Sequence, residues 1–421
     1  MSSRVSRAVV ARTGVDLETG LNNIIMEKAE VTPEALHSFF REDGRTLGHL
    51  AIDSNINGLS VGGIRMVPEM PVADLCHLAR VMTLKYSFLK MPFGGAKAAI
   101  FTHCDNPSAQ QRRECIESFA GRLAAFRGRY LPGVDVGLNA DDLNVIRRIA
   151  RLERLSRPPD SGFYTALTVR ICIEHLARGQ GLKLAQCTAA IEGFGKVGGW
   201  VARLLTEIGC RIVAVSTRKG AIHDPDGLDV DRLLRARDAF GDDWPDKYDG
   251  ARRIEVPQLL GLAADLLIPC ALSWSIRSDN AGDVRAPVIV CGANNAITDK
   301  ARAILAARGI TCFPDFVSNS GGVLGSAIET LCMDRDRTVE LLRQQFEPKL
   351  ECLLAQAKSA GQSLEVTARQ IAVANHHEMK RRETRAGGRL SSLATAAYRR
   401  GLLPRRIVRV FASTYIRRMM A

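Results

Sequence analysis

No stretch of the 421-residue chain approaches the roughly 20 consecutive apolar residues of a membrane span. Arg4, Arg7 and Arg12 near the start are not followed by an apolar run, so no secretory leader is expected. The eleven cysteines never form Cys-x-x-Cys. Cys172, Cys187, Cys210 and Cys291 stand in apolar stretches, where a free thiol behaves as a small hydrophobe. That usage suits a reducing compartment, and a cytoplasmic location is expected. Histidines at metal-ligand spacing are also missing: His103 and His223 stand alone, and His376 and His377 are adjacent, which on a helix turns them apart. A resident metal is not expected. Strong charge is absent from most of the chain too. The net charge is +13, but residues 376–421 alone hold twelve Lys/Arg against two Asp/Glu. The preceding residues are nearly neutral, which excludes a general nucleic-acid-binding surface outside the tail.

Hydrophobic residues make up 46% of the chain, enough for sizeable cores. Residues 1–20 read as a loose arm. Residues 21–157 mix helix and strand signals, with Gly and Pro dense around 58–68, 91–97 and 132–137. Arg157-Pro158-Pro159-Asp160 marks a boundary, because proline breaks a preceding helix. Residues 158–335 alternate helix and strand as a doubly wound sheet does. A helix is expected through Thr165–Arg178, and strands at Thr188–Ile191, Arg211–Val215, Asp265–Ile268 and Val288–Val290.

Between the first two of these strands lies Gly193-Phe194-Gly195-Lys196-Val197-Gly198. A lone G-x-G-x-x-G says little, but this one follows a strand, opens a helix and precedes a second strand. In a dinucleotide site the first glycine makes the tight turn, the second admits the pyrophosphate and the third lets helix and strand pack closely. The amides of the helix N-terminus then face negative charge. The acidic residue that usually follows about 20 positions later, and holds the ribose hydroxyls, is missing. Thr217 stands there, ahead of Arg218 and Lys219. A hydroxyl followed by two cations favours NADP over NAD, unless the cations only solvate a turn.

The first region supplies candidate chemistry. Lys85 ends a helical pattern with Leu75, Leu78 and Met82 on one face. Lys97 follows the Gly94-Gly95 pair, which would let backbone and substrate approach closely. Asp135 lies in a Gly/Pro-rich loop. Each alone is ordinary. Together they provide a cation for a carboxylate, a base whose pKa burial and neighbouring cations can lower, and a carboxylate for an amine's protons.

These motifs resemble the glutamate/leucine/phenylalanine/valine dehydrogenase family over roughly residues 22–370. The matching segments include Gly62-Gly63-Ile64-Arg65, Thr83-Leu84-Lys85, Gly94-Gly95-Ala96-Lys97, Asp135-Val136-Gly137, the glycine turn, Pro269-Cys270-Ala271-Leu272, Gly292-Ala293-Asn294-Asn295 and Pro314–Val323. The resemblance implies an α/β protein of two domains separated by a cleft: an N-terminal substrate and oligomerisation domain, completed by residues 336–375, and a Rossmann-type doubly wound dinucleotide-binding domain. It implies reversible NAD(P)-dependent oxidative deamination of an L-amino acid to a 2-oxo acid and ammonia, in a homo-oligomer. Lys97 would activate water, Asp135 would shuttle protons to and from the amine, and Lys85 would bind the α-carboxylate. Gly62 and Gly63 would line the substrate pocket. Thr165, Asn294 and Asn319 would lie near the nicotinamide nucleotide.

Departures from the pattern bear on the substrate. Glutamate-specific members place a lysine before the first Gly-Gly; here Val61 stands there, and burying a side-chain carboxylate without that cation would cost several kcal/mol. An apolar side chain is therefore expected on the substrate. Ser326 pulls the other way, since glutamate members use a serine there. Ser273-Trp274 replaces a familiar Glu-Asn, and Leu167-Thr168 a Tyr-Gly pair. Two alternatives remain open: a glutamate dehydrogenase with a modified pocket, and a non-catalytic binding protein on the same fold. A hydroxy-acid dehydrogenase lacks an evident His–carboxylate pair. The tail from Arg389 interleaves apolar and basic residues, and suits an amphipathic helix against a neighbouring subunit, an anionic membrane surface or a polyanion.

Overall fold

The structure is a computed structural model that describes residues 32–152, 159–330, 334–383 and 420. The 1–20 arm, the 157/158 boundary and the basic segment from Arg389 to Arg418 lie outside the described residues.

The first lobe runs β1 (Ala35–Phe40), β2 (Thr46–Ile52), β3 (Ser60–Val67), α1 (Val72–Phe88), β4 (Gly94–Phe101), α2 (Ala109–Leu123), β5 (Tyr130–Val134) and α3 (Ala140–Ile149). Its sheet has the order β1-β2-β4-β3-β5. β1, β2 and β4 pair antiparallel, whereas β3 runs parallel to both β4 and β5. The helices begin where side chains satisfy their free amides. Ser108 and Gln111 form a capping box on α2, and Asn139 and Asp142 form one on α3. Both helices cover one face of the sheet through Phe119, Leu123 and Ile146. α1 lies on the other face, and its last two turns are buried through to Lys85. Gly95 makes this possible: a Cβ there would come within 2.2 Å of the Thr83 amide nitrogen. The Gly94-Gly95 pair thus admits the protein's own backbone, the close backbone approach expected from the sequence.

The second lobe runs α4 (Ser161–Gln180), β6 (Thr188–Glu192), α5 (Lys196–Thr206), β7 (Arg211–Thr217), β8 (Gly220–His223), α6 (Val230–Phe240), a 3-10 segment (Gly241–Lys247), β9 (Arg252–Ile254), β10 (Leu266–Pro269), β11 (Val288–Ile289), α7 (Asp299–Ala307), β12 (Thr311–Cys312), α8 (Asp315–Ser318) and α9 (Gly321–Thr330). Its sheet order is β12-β11-β10-β6-β7-β8-β9. β12 through β7 are parallel, and β8 and β9 add an antiparallel extension. The four expected strands form within two residues of their expected ends, and α4 extends the expected helix at both ends. Asp160 caps α4, and Gly181, at φ +69°, ends it.

The chain then returns through α10 (Arg335–Ala360) and α11 (Leu364–Glu383). α11 passes residue 376 without a break and lies against α1: Asn375 donates to the Ser87 carbonyl at 3.1 Å, and Lys380 pairs with Glu34 at 3.0 Å. One apolar cluster joins Met82 and Phe88 of α1, Val169 of α4, Ile191 of β6 and Leu350 of α10. Among the described residues no helix is long and apolar enough to cross a membrane.

Candidate active site

The three strands β4, β3 and β5 lie side by side, and their register builds the site. Lys97 stands on β4, and Asp135 directly follows β5. Between them runs β3, where Gly63 faces Gly133 of β5. Because Gly63 has no side chain, Lys97 Nζ reaches across β3 to Asp135 Oδ2 at 2.8 Å. A Cβ on Gly63 would stand 2.9 Å from Asp135 Cβ and 3.5 Å from Lys97 Nζ. Two positions along β3, Arg65 Nε comes within 3.1 Å of the same carboxylate oxygen. All three side chains are largely buried, with 4%, 12% and 13% of their areas exposed for Lys97, Asp135 and Arg65. Burial alone would raise the Asp135 pKa. Lys97 and Arg65, together with hydrogen bonds from Lys97 and the Val136 amide, outweigh it and hold the carboxyl well below the usual carboxylate range. Gly62 is buried on β3, where a Cβ would strike the Ala96 carbonyl at 1.6 Å, so the close packing of the strands requires a glycine there.

Lys85 projects from α1 toward the second lobe. Its Nζ donates to Asn294 Oδ1 at 2.5 Å, in the loop after β11. Asn319 Nδ2 reaches the same oxygen at 3.2 Å and the Ala293 carbonyl at 2.9 Å. Burial, opposed by Asp315 and Asp135 and aided by Lys97, lowers the Lys85 pKa to about 8. The two lysines and the aspartate therefore share one electrostatic neighbourhood, and Lys85 touches the loop beyond the glycine turn's sheet. A second contact between the lobes pairs His77 of α1 with Trp274, their rings 5.5 Å apart. Trp274 adopts φ +64°, unusual for a bulky residue.

The glycine turn caps β6. Gly193 has φ +91°, and a Cβ there would meet Ala271 at 2.7 Å. A Cβ on Gly198 would lie 1.9 Å from the Gly193 carbonyl, so this glycine holds α5 against its strand. The Gly193 and Phe194 amides are used internally, by Ser216 Oγ at 3.0 Å and the Ser216 carbonyl at 2.7 Å. The amides left for an anion are those of the first turn of α5, where Lys196 and Val197 lie and no side chain caps the helix. Gly195, exposed, has open space where a Cβ would be. Asn319 Oδ1, buried, has no hydrogen-bond partner. An uncapped helix start, an open glycine and an unpartnered amide oxygen fit a nicotinamide dinucleotide laid over the parallel strands' carboxyl ends.

Other expected residues are placed differently. Phe194 is buried against Trp244, with ring centroids 5.6 Å apart, and so packs the turn from beneath. The Thr165 hydroxyl donates to the Ser161 carbonyl at 2.7 Å and lies close to Gly322. Thr217 is 9% exposed, and its hydroxyl donates to the Asp242 carbonyl at 2.9 Å. Arg218 and Lys219 are not free cations: Arg218 Nε pairs with Asp242 at 2.6 Å, and Lys219 Nζ with Asp243 at 3.5 Å. This removes the ground on which the sequence favoured NADP. Val61 and Val323 pack against the same apolar cluster. Ser326, half-buried, lies one turn along α9 from Val323. Arg65, Asp242 and Asp315 have roles that no local pattern in the sequence announces. Arg65 lay inside a motif already singled out, but its partner is 70 positions away. Asp315 accepts the Asn295 amide and so fixes the asparagine loop.

A parallel-sheet nucleotide lobe facing a buried lysine–aspartate pair defines a nicotinamide-dependent oxidoreductase. Residues 161–383 match the family model for Glutamate/Leucine/Phenylalanine/Valine dehydrogenase, and residues 38–151 that for the Glu/Leu/Phe/Val dehydrogenase dimerisation domain. The NAD-specific glutamate dehydrogenase of Staphylococcus aureus (strain COL) is 31% identical over 301 residues, 67% of this chain and 71% of that protein. A glutamate dehydrogenase of Thermotoga maritima is 32% identical over 290 residues, covering 65% of this chain and 69% of its own. Among solved structures, a hetero-hexameric glutamate dehydrogenase from Thermus thermophilus superposes with TM-score 0.73 at 24% identity, over 86% of this chain and 96% of that one. L-Tryptophan dehydrogenase from Nostoc punctiforme has TM-score 0.61 at 23% identity, over 85% and 99%. The chain belongs to the glutamate/leucine/phenylalanine/valine dehydrogenase family and is an NAD(P)-dependent amino-acid dehydrogenase.

Proposed function

We propose that the protein catalyses reversible oxidative deamination of an L-amino acid with an apolar side chain, using NAD. The observation that carries the chemistry is the Lys97–Asp135 pair meeting across Gly63. Bound NAD supplies the hydride acceptor for the substrate α-carbon. Lys85 binds the α-carboxylate, which replaces Asn294 as its partner. Asp135, kept ionised by Lys97 and Arg65, accepts hydrogen bonds and a proton from the α-amine. Lys97, paired with Asp135, orients the water that adds to the iminium carbon; Asp135, having released the amine's proton to solvent, takes the proton of that water and returns it to the departing ammonia. The buried setting strengthens each of these charges relative to water. The first turn of α5 holds the pyrophosphate.

The apolar preference rests on Val61, which stands beside Gly62 on β3 and packs, like Val323 of α9, against the apolar cluster that joins the lobes. NAD is favoured by the pairing of Arg218 and Lys219 with Asp242 and Asp243, and by the similarity to a dehydrogenase described as NAD-specific. Glutamate is the second reading, favoured by the names of the related enzymes and by the polar Ser326. Residues 21–157 with 336–375 are taken as the substrate and oligomerisation domain, and 158–335 as the nucleotide domain. A homo-oligomer is inferred from the dimerisation-domain match and from β1, an edge strand with Leu36 and Phe40 exposed. The ten described cysteines are all free, in keeping with a cytoplasmic setting. A screen of L-amino acids with NAD and NADP, followed by absorbance of the reduced nicotinamide, tests the reading. Turnover of branched or aromatic substrates above glutamate is expected. Activity on glutamate with indifference to apolar substrates would overturn the Val61 assignment.

A further inference from the structure

The end of β7 lacks the carboxylate that commonly holds the adenosine ribose, and Thr217 cannot replace it. Its hydroxyl is engaged by the Asp242 carbonyl at 2.9 Å, and it also accepts the Lys219 amide at 3.1 Å. What these contacts do is fasten the 3-10 segment Gly241–Lys247 beside the strand's end. Trp244, fully buried, fastens the same segment to the glycine turn through the Phe194 ring. Arg237 closes the corner, its Nη1 3.3 Å from the Gly195 carbonyl. The crevice between the glycine turn and the end of β7, where an adenosine ribose sits in this architecture, therefore has the 3-10 segment as its third wall. The first side chains on that wall are Asp242 and Asp243.

We propose that Asp242 is the ribose ligand: its Oδ1 accepts the adenosine 2′-hydroxyl, and its pairing with Arg218 through Oδ2 withholds that cation from a 2′-phosphate. The inference rests on the nicotinamide-dependent reading above and adds the residue that sets the choice of nucleotide. Asp242 is half-exposed, and its Oδ2 already holds Arg218 Nε at 2.6 Å, which leaves Oδ1 for a hydroxyl. A hydroxyl diol donates to a carboxylate, whereas a phosphate dianion is repelled by it. Asp243 reinforces the repulsion while occupying Lys219 at 3.5 Å. A 2′-phosphate would have to break the Arg218 pair and approach both carboxylates.

Fluorescence titration of the purified full chain with NADH and with NADPH tests this without relying on turnover. Asp242→Ala should weaken NADH about tenfold or more, the loss of hydrogen bonds to a charged acceptor, and should tighten NADPH by freeing Arg218. Asp242→Asn keeps the volume of the side chain and should shift both affinities in the same direction by less, which separates the effect from a fold defect. Adding Arg218→Ala to Asp242→Ala should abolish the gain for NADPH. An NADH-to-NADPH affinity ratio unchanged in Asp242→Ala and Asp242→Asn would overturn the assignment while leaving the enzyme reading intact. A wild-type chain that binds neither nucleotide would overturn the reading beneath it.

Discussion

Gly63 sets the spacing of the proposed acid–base pair, because Lys97 and Asp135 meet across a strand position without a side chain. Gly63→Ala would place a methyl group 2.9 Å from Asp135 Cβ and should lower kcat about 10²-fold or more, the scale of a misplaced acid–base group, with NADH affinity unchanged. Lys85 makes a separate prediction. With a pKa near 8 it carries its charge below that pH and loses it above. In the free enzyme kcat/KM for the amino acid should therefore fall as pH rises through about 8, with the fall appearing in KM before kcat. A pH profile flat to pH 10 would contradict the assignment. The candidates Lys85, Lys97 and Asp135, which the fold brings into one neighbourhood, could be picked out in the sequence because each stands in a recognisable motif. The clamp by Arg65 and the pairing of Arg218 with Asp242 could not, since both depend on which distant positions the sheet register brings together.

Among the elements, the joint between β4 and α1 carries the largest consequence. Gly95 lets the strand touch the helix backbone at Thr83, two residues before Lys85. Gly95→Ala should destabilise the protein by about 3 kcal/mol, the cost of overpacking against backbone, and displace Lys85 as well. Thermal unfolding and the KM for the amino acid would both report it, and a variant with wild-type values for both would refute the packing account. The parallel strands β6, β7, β10 and β11 were legible as short apolar runs bounded by turn residues. β8 and β9 were not: each is only four or three residues long, and Arg252 and Arg253 hide the second one's character. The 3-10 segment at 241–247 also gives no periodic signal. It forms because Trp244 buries itself against Phe194 and Tyr248, a tertiary cause.

For the whole molecule, two sheets of different build carry the two halves of the proposed site: a mixed sheet bears Lys97, Arg65 and Asp135, and a largely parallel sheet bears the glycine turn. That division was visible in the sequence once the glycine turn was set beside the lysine motifs. The return of the chain through α10 and α11 to α1 was expected from the family resemblance alone, with no local signal of its own. The edge strand β1 bears on assembly, and the basic tail is open to the same test. Sedimentation should find an oligomer, and deletion of residues 384–421 should weaken it if the tail packs on a neighbouring subunit. Unchanged assembly would overturn packing of the tail on a neighbouring subunit.

The most direct test of the central claim is amino-acid-dependent reduction of NAD by the wild-type chain and by Asp135→Asn, with NADH binding measured on both. The substitution keeps the side chain's size and removes the carboxylate that Lys97 and Arg65 hold. The account predicts that kcat falls about 10²- to 10⁴-fold while NADH affinity stays unchanged. An Asp135→Asn variant that turns over at the wild-type rate would contradict it.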